Sequence, residues 1–192
     1  MARPREFDRD AALIAAISVF SKHGYEGTST ELLVQNMGIG RQSIYGAFGD
    51  KWQLYLEALQ RYTGDSISEQ IRTLNAPSSP LAGLTAHIQG AVAAAVADPS
   101  PSCLGISATC EFGRSNPEVS VLSRTANRAL TSALERRVAE AKAKKELAED
   151  VDTREAASFI VSTLVGIKVA ARGGASPEVL RGIARMALRS LR

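Results

Sequence analysis

Apolar side chains along this chain recur every three to four residues, and no run alternates apolar with polar in the manner of a strand, so the pattern predicts helices throughout. From about Arg9 to His23, Leu13, Ile17 and Phe20 make one stripe, with Asp8 as the N-cap and Gly24 as the stop. Thr28 and Glu31 read as a capping box that opens a short second helix, and Gly38 supplies the turn after it. The third helix, from Gly40 to Phe48, turns Ile44 and Phe48 inward and leaves Arg41, Gln42 and Tyr45 outside. Asp50, with Gln53 behind it, caps a long fourth helix that reaches about Leu74.

Pro77, Ser78, Ser79 and Pro80 break the chain before an alanine-rich fifth helix from about Leu81 to Ala97, and Asp98, Pro99, Ser100 and Pro101 break it again. A sixth helix follows from Cys103 to about Ser115. The seventh runs from about Glu118 to Ala148, with Arg136, Arg137, Lys142, Lys144 and Lys145 as a solvated face. The eighth starts at Asp152 or Thr153 and ends near Gly173 and Gly174, and Ser176 caps a ninth with Pro177 at its first position. The prediction is an all-α fold of nine helices. Helix eight carries Ser158, Ser162, Gly166 and Ala170 at four-residue spacing, flanked by Phe159, Ile160, Leu164 and Ile167. Helix nine sets Leu180, Ile183, Ala184, Ala187 and Leu191 against Arg181, Arg185 and Arg189 on the opposite face. A small-residue stripe admits another helix closely, either inside the same core or from a second subunit in a four-helix seam.

At 192 residues and 45% apolar, the chain suits one or two domains with a real core. The stretch from Ala156 to Ile167 is broken by Ser158, Ser162 and Thr163 and followed by Lys168, too short and too polar to span a bilayer. The N-terminus, Met-Ala-Arg-Pro-Arg-Glu-Phe, has no apolar signal core. A soluble, cytoplasmic protein without a membrane partner is expected. The formal charge of +3 is mild and does not by itself point to nucleic acid. Placement matters more, because phosphate attraction fades within a Debye length of roughly 8 to 10 Å. Arg3 and Arg5 sit on an N-terminal arm, and Arg41 and Lys51 bracket the third helix.

Two short helices around a glycine turn, followed at once by the capped start of another, make a helix-turn-helix, whose second helix enters the major groove of DNA. With Gly24-Tyr25 ahead of Thr28, and Ile44-Tyr45 to Phe48 followed by Asp50-Lys51, the segment from about Phe7 to Leu56 resembles the TetR family of bacterial repressors. The resemblance implies a DNA-binding domain at residues 1–50 and a ligand-binding and dimerisation domain at 51–192. It further implies a homodimer through helices near 152–172 and 176–191, double-stranded operator DNA as partner, and release by a small-molecule inducer.

Carried over by position, Arg41, Gln42 and Ser43 would face the groove, with Arg41 on guanine O6 and N7 and Gln42 on adenine N6 and N7. Tyr45 and Lys51 would hold phosphates, and Thr28 and Thr30 would touch the DNA backbone. Where many members carry a large aromatic residue and a histidine, this chain has Gly46 and Ala47. Glycine costs a helix about 1 kcal/mol against alanine, so Gly46 either permits close approach to the sugar-phosphate backbone or is merely tolerated.

Cys103 and Cys110 make no disulfide framework and offer too few ligands for structural zinc, so neither metal nor cofactor is expected. On one helix the two would share a face, with Ile106 or Ser107 between them. They read as small core residues or as a thiol sensor of an electrophile or oxidant, with Lys168 favouring the thiolate. Pro-Ser-Cys-Leu resembles the Gly-Cys-Leu of one branch of the family, some of whose members respond to reactive small molecules. Beyond Tyr62 only Phe112 and Phe159 are aromatic, so the expected ligand is small or aliphatic, with His87, Thr109, Glu111, Arg114 and Asn127 as polar groups it could meet. No Gly-x-Ser-x-Gly elbow, His-Glu-x-x-His helix or phosphate loop supports an enzyme. The expected function is a ligand-responsive repressor, with a thiol-based switch on the same scaffold as the alternative.

Overall fold

Most caps and breaks act where the sequence puts them. The computed structural model describes residues 7–98 and 103–191, so Arg3 and Arg5 lie outside the described residues. Among the described residues nine helices follow in order: α1 (Arg9–His23), α2 (Thr30–Met37), α3 (Arg41–Phe48), α4 (Lys51–Asn75), α5 (Pro80–Ala97), α6 (Leu104–Phe112), α7 (Pro117–Ala143), α8 (Thr153–Arg172) and α9 (Pro177–Arg189). No strand occurs among them. The Asp8, Ser79, Asp152 and Ser176 side chains each accept a backbone N–H of the helix they open.

Three boundaries depart from expectation, the simplest being α6, which ends at Phe112 and not near Ser115 because Gly113 takes φ +51° and closes it. The N-cap of α2 is Ser29, whose Oγ accepts from the Leu32 amide at 3.1 Å, rather than Thr28. Three consecutive hydroxyl residues offer the same local chemistry, and the burial of Thr28 selects between them. Helix α7 stops at Ala143 instead of Ala148. Lys145 adopts φ +56° there, the Lys145 amide donates to the Lys142 carbonyl and the Glu146 amide to the Ala141 carbonyl. This is a Schellman closure with lysine in the place glycine usually takes, so no residue type announces it.

By packing, residues 7–65 with 103–124 form one compact unit and 66–98 with 125–191 another. In the first, Ala12, Leu13, Ala16, Val19 and Phe20 of α1 pack with Leu33, Ile44, Phe48, Leu54, Tyr55 and Leu59, and with Leu104 and Ala108 of α6. Phe20 and Tyr55 meet edge to face at 5.1 Å, and Tyr25, Trp52 and Phe112 complete a ring cluster about Tyr55. The Arg9 guanidinium holds Glu57 through both carboxylate oxygens, at 2.6 and 2.8 Å, and covers the Phe48 ring.

The second unit is aliphatic: Leu84, Ile88 and Val92 of α5 bury against Leu134 and Val138 of α7, Ile160, Leu164 and Ile167 of α8, and Leu180 and Ala184 of α9. Buried Arg137 ties the turn before α5 by donating to the Pro77 and Ser79 carbonyls while pairing with Glu140. Glu146 accepts from Ser79 Oγ and from the Leu81 amide at the start of α5. Helix α5, and not the stretch from Ala156 to Ile167, is long and apolar enough to cross a membrane by length and composition. Leu84, His87, Ile88 and Val92 are buried in the core of this unit, so one side of the helix uses its apolarity in packing, while Val96 near its end is exposed.

Candidate nucleic-acid interface

The turn between α2 and α3 depends on Gly38, which takes φ +67° and ψ 18°, the left-handed conformation that costs glycine least. It brings α3 across α2 with Ile44 and Phe48 buried, and the helical period then fixes the outer face. Arg41, Gln42 and Ser43 are exposed in the first turn of α3, free of ion-pair partners among the described residues. A fork of guanidinium donors beside an amide and a hydroxyl is a set that can address base edges.

Tyr45 lies half-buried one turn behind. Its hydroxyl is 3.2 Å from Thr30 Oγ1, and the Arg41 guanidinium stands over its ring at 5.8 Å. The Thr30 hydroxyl first and Arg41 second hold the Tyr45 phenol below its ordinary pKa. Thr30, Tyr45 and Arg41 thus form one polar set across α2 and α3. Gly46 is exposed, and a Cβ added there would meet nothing within 4 Å among the described residues, so their packing does not require glycine.

Lys51 begins α4, whose N-terminus is capped by Asp50 accepting from the Gln53 amide at 2.8 Å. Its ammonium sits 4.2 Å above the Tyr25 ring, a cation–π contact that fixes the side chain. Thr28 does not join this surface. It is 1% exposed, and its hydroxyl donates to the Gly24 carbonyl at 2.6 Å, which leaves no side-chain atom for DNA.

Glu111, named from the sequence only as a group a ligand could meet, is a positioning residue in the first unit. The carboxylate of Glu111 on α6 accepts from the Tyr25 amide at 2.9 Å and the Glu26 amide at 3.3 Å, in the turn after α1. A Cβ on Gly24 would stand 2.4 Å from that carboxylate, so the clasp and the glycine, at φ +70°, require each other. Eighty-six residues separate Tyr25 from Glu111, and no local signal announces such a pairing.

The cysteines on α6 part company. Cys103 is the half-buried N-cap, in extended conformation, and meets the Tyr62 hydroxyl, while Cys110 is exposed. Cys110 is therefore not a core residue. Burial first and the Cys103 sulfur second raise the Tyr62 phenol above its usual range, so it stays protonated. Ile106 is half-buried on the same helix. Lys168 belongs to the second unit, where its charge and above all burial hold His87 down to about pKa 4. Among the described residues no cluster of His, Cys, Asp and Glu is placed to hold a metal.

Comparison with known proteins matches this geometry. The family model for bacterial regulatory proteins of the tetR family covers residues 12–58, and that for the tetracyclin repressor-like C-terminal domain covers residues 80–187. The HTH-type transcriptional regulator YezE of Bacillus subtilis (strain 168) is 30% identical over 94% of both chains. The HTH-type transcriptional repressor ComR of Escherichia coli (strain K12) is 28% identical over 97% of this chain and 90% of its own. Among solved structures, a triple cysteine variant of the regulator CifR in complex with a 26-base-pair operator superposes with a TM-score of 0.83, at 31% identity and over 100% of each chain. The chain belongs to the TetR family of transcriptional regulators, which bind operator DNA.

Proposed function

We propose that this protein is a homodimeric repressor that leaves its operator when a small molecule binds. The observation that carries the reading is the undivided exposure of Arg41, Gln42 and Ser43 beside the Thr30–Tyr45 pair and Lys51. In this reading Arg41 and Gln42 read bases, while Tyr45, Thr30 and Lys51 set the register on phosphates. Thr28 has no part in it.

A dimer is supported by the outer side of α8. Ile160, Leu164 and Ile167 turn into the unit's own core, whereas Ser158, Phe159, Ser162, Val165, Gly166 and Val169 face outward. Phe159 at 42% and Val169 at 52% exposure, with Val179 and Met186 of α9, form an apolar face of the kind that monomers rarely leave to water. Nothing among the described residues crowds Gly166, and close approach of a partner helix is a reason for it. Each subunit then offers one reading helix to one half-site. The aliphatic second unit favours a small or aliphatic inducer.

Binding titrations on an operator found by genome-wide footprinting test the reading. Arg41→Ala should lose about 1 to 3 kcal/mol on the operator and little on random DNA, while Lys51→Ala should weaken both alike and flatten the salt dependence. Equal loss on both DNAs for Arg41→Ala removes it from base reading. Val165→Asp with Val169→Asp should sediment as a monomer and bind operator poorly; an unchanged dimer would move the seam elsewhere.

A thiol-based release is the second reading. It is favoured by Cys103 standing at the N-cap of α6, the helix whose Glu111 holds the α1 turn, and by the cysteine-substituted CifR variants among similar structures. Lys168 and Cys110 have no assigned partner role in it. Oxidant-driven release that persists in a Cys103→Ser, Cys110→Ser protein sinks this alternative.

A further inference from the structure

Within the second unit, α5 and α9 leave a groove of about 590 Å³ between them, inside the usual range for small-molecule sites. Its apolar lining comes from Val92, Ala93 and Val96 of α5 and Ala184 and Leu188 of α9. Its charged lining is Arg181 and Arg185, four residues apart on one flank of α9 and therefore stacked on successive turns. Both are exposed, and neither has an ion-pair or hydrogen-bond partner among the described residues, unlike Arg9, Arg61, Arg72 and Arg137. Among the described residues no acidic side chain lines the groove.

An open trough of methyl and isopropyl groups beside two uncompensated guanidiniums is complementary to a molecule with an aliphatic tail and an anionic head. A carboxylate matches the fork of donors that each guanidinium presents. At 100° per residue, Arg181, Arg185 and Leu188 occupy the flank of α9 turned away from Val179 and Met186, so a ligand here and a partner on the outer apolar face do not compete. The groove accounts for Arg181 and Arg185, which the DNA-binding surface and the dimer face leave unused.

We propose that this groove binds a free straight-chain carboxylate, its tail along Val92, Ala93, Val96 and Leu188 and its head between Arg181 and Arg185. The site stands independently of operator release, because binding is read without DNA. Each methylene taken from water should tighten binding by up to about fourfold, and an uncharged head should lose at least about tenfold.

Isothermal titration calorimetry of the full-length protein with octanoate, decanoate, dodecanoate and decanol tests this. Decanoate should bind, affinity should rise along the carboxylate series, and decanol should be at least about tenfold weaker. Arg181→Gln with Arg185→Gln should weaken decanoate by about tenfold or more with helicity and melting temperature unchanged, and Ala93→Trp, which fills the trough from an exposed position, should block it. Arg189→Gln should leave it intact. Four results overturn the proposal: no decanoate binding, equal binding by the double variant, equal binding of decanol, or attachment only to vesicles of acidic phospholipid.

Discussion

The two compact units are filled with different materials. Nine of the chain's ten aromatic residues fall in the first, while the second holds only Phe159, on its outer surface. In the first unit rings meet at set angles, a bidentate Arg9–Glu57 pair spans α1 and α4, and Glu111 clasps two amides of the α1 turn. Such contacts have preferred geometries and hold side chains in one arrangement. In the second unit the core is Leu, Ile, Val and Ala, whose attraction follows buried area and not direction, and which repack with little loss when volume is conserved. Reading DNA requires donors placed to a fraction of an ångström. Admitting a ligand or a second subunit requires a body that can adjust. On the proposed function, the division of side-chain types matches the division of tasks.

The largest effect should come from the ring cluster. Phe20→Ala removes a fully buried ring and should cost about 3 to 5 kcal/mol. Trp52, the only tryptophan, lies in the first unit, so its fluorescence reports that unit while far-UV circular dichroism reports both. In chemical denaturation the fluorescence transition should move further than the dichroism transition. Equal movement would mean that both units unfold as one block and that the contrast is one of composition only.

Next in size is His87, 4% exposed, with Nε2 lacking a hydrogen-bond partner among the described residues. Its pKa falls from 6.5 unfolded to about 4 folded, chiefly by burial and then by the charge of Lys168. Because the unfolded chain takes up the proton first, the stability is full above about pH 6.5 and drains as pH falls toward 4, by on the order of 3 kcal/mol. His87→Leu should flatten that slope. A slope that survives the substitution assigns the pH dependence to other groups.

Glu111→Ala should destabilise the first unit by about 1 kcal/mol, since the carboxylate is exposed to solvent although both its bonds are to amides. Glu111→Gln keeps an acceptor and should lose less. If both leave the Trp52 transition where it is, the clasp contributes nothing to the rigidity of the first unit. The smallest effect is expected at Gly46. Gly46→Ala should stabilise α3 by about 0.5 to 1 kcal/mol, because the added methyl meets nothing. A simultaneous loss of operator affinity would show that the glycine serves close approach to DNA, and unchanged affinity that it is simply tolerated.

The nine helices, most of their caps and the inward register of Ile44 and Phe48 were legible in the sequence, because capping bonds and the 3.6-residue period operate within a turn or two of each residue. So was the outer set Arg41, Gln42 and Ser43, which follows once that register is known. Where local chemistry was degenerate it misled: Thr28 and Ser29 are equally good caps on paper, and Lys145 ends α7 without a glycine. The tertiary structure alone decided that Thr28 turns inward, that Glu111 reaches the α1 turn, that the small-residue stripe of α8 faces out, and that Arg181 and Arg185 line an apolar groove. Periodicity states which residues share a face. Which face meets which element is settled by packing between segments distant in the chain, and sequence spacing carries no record of it.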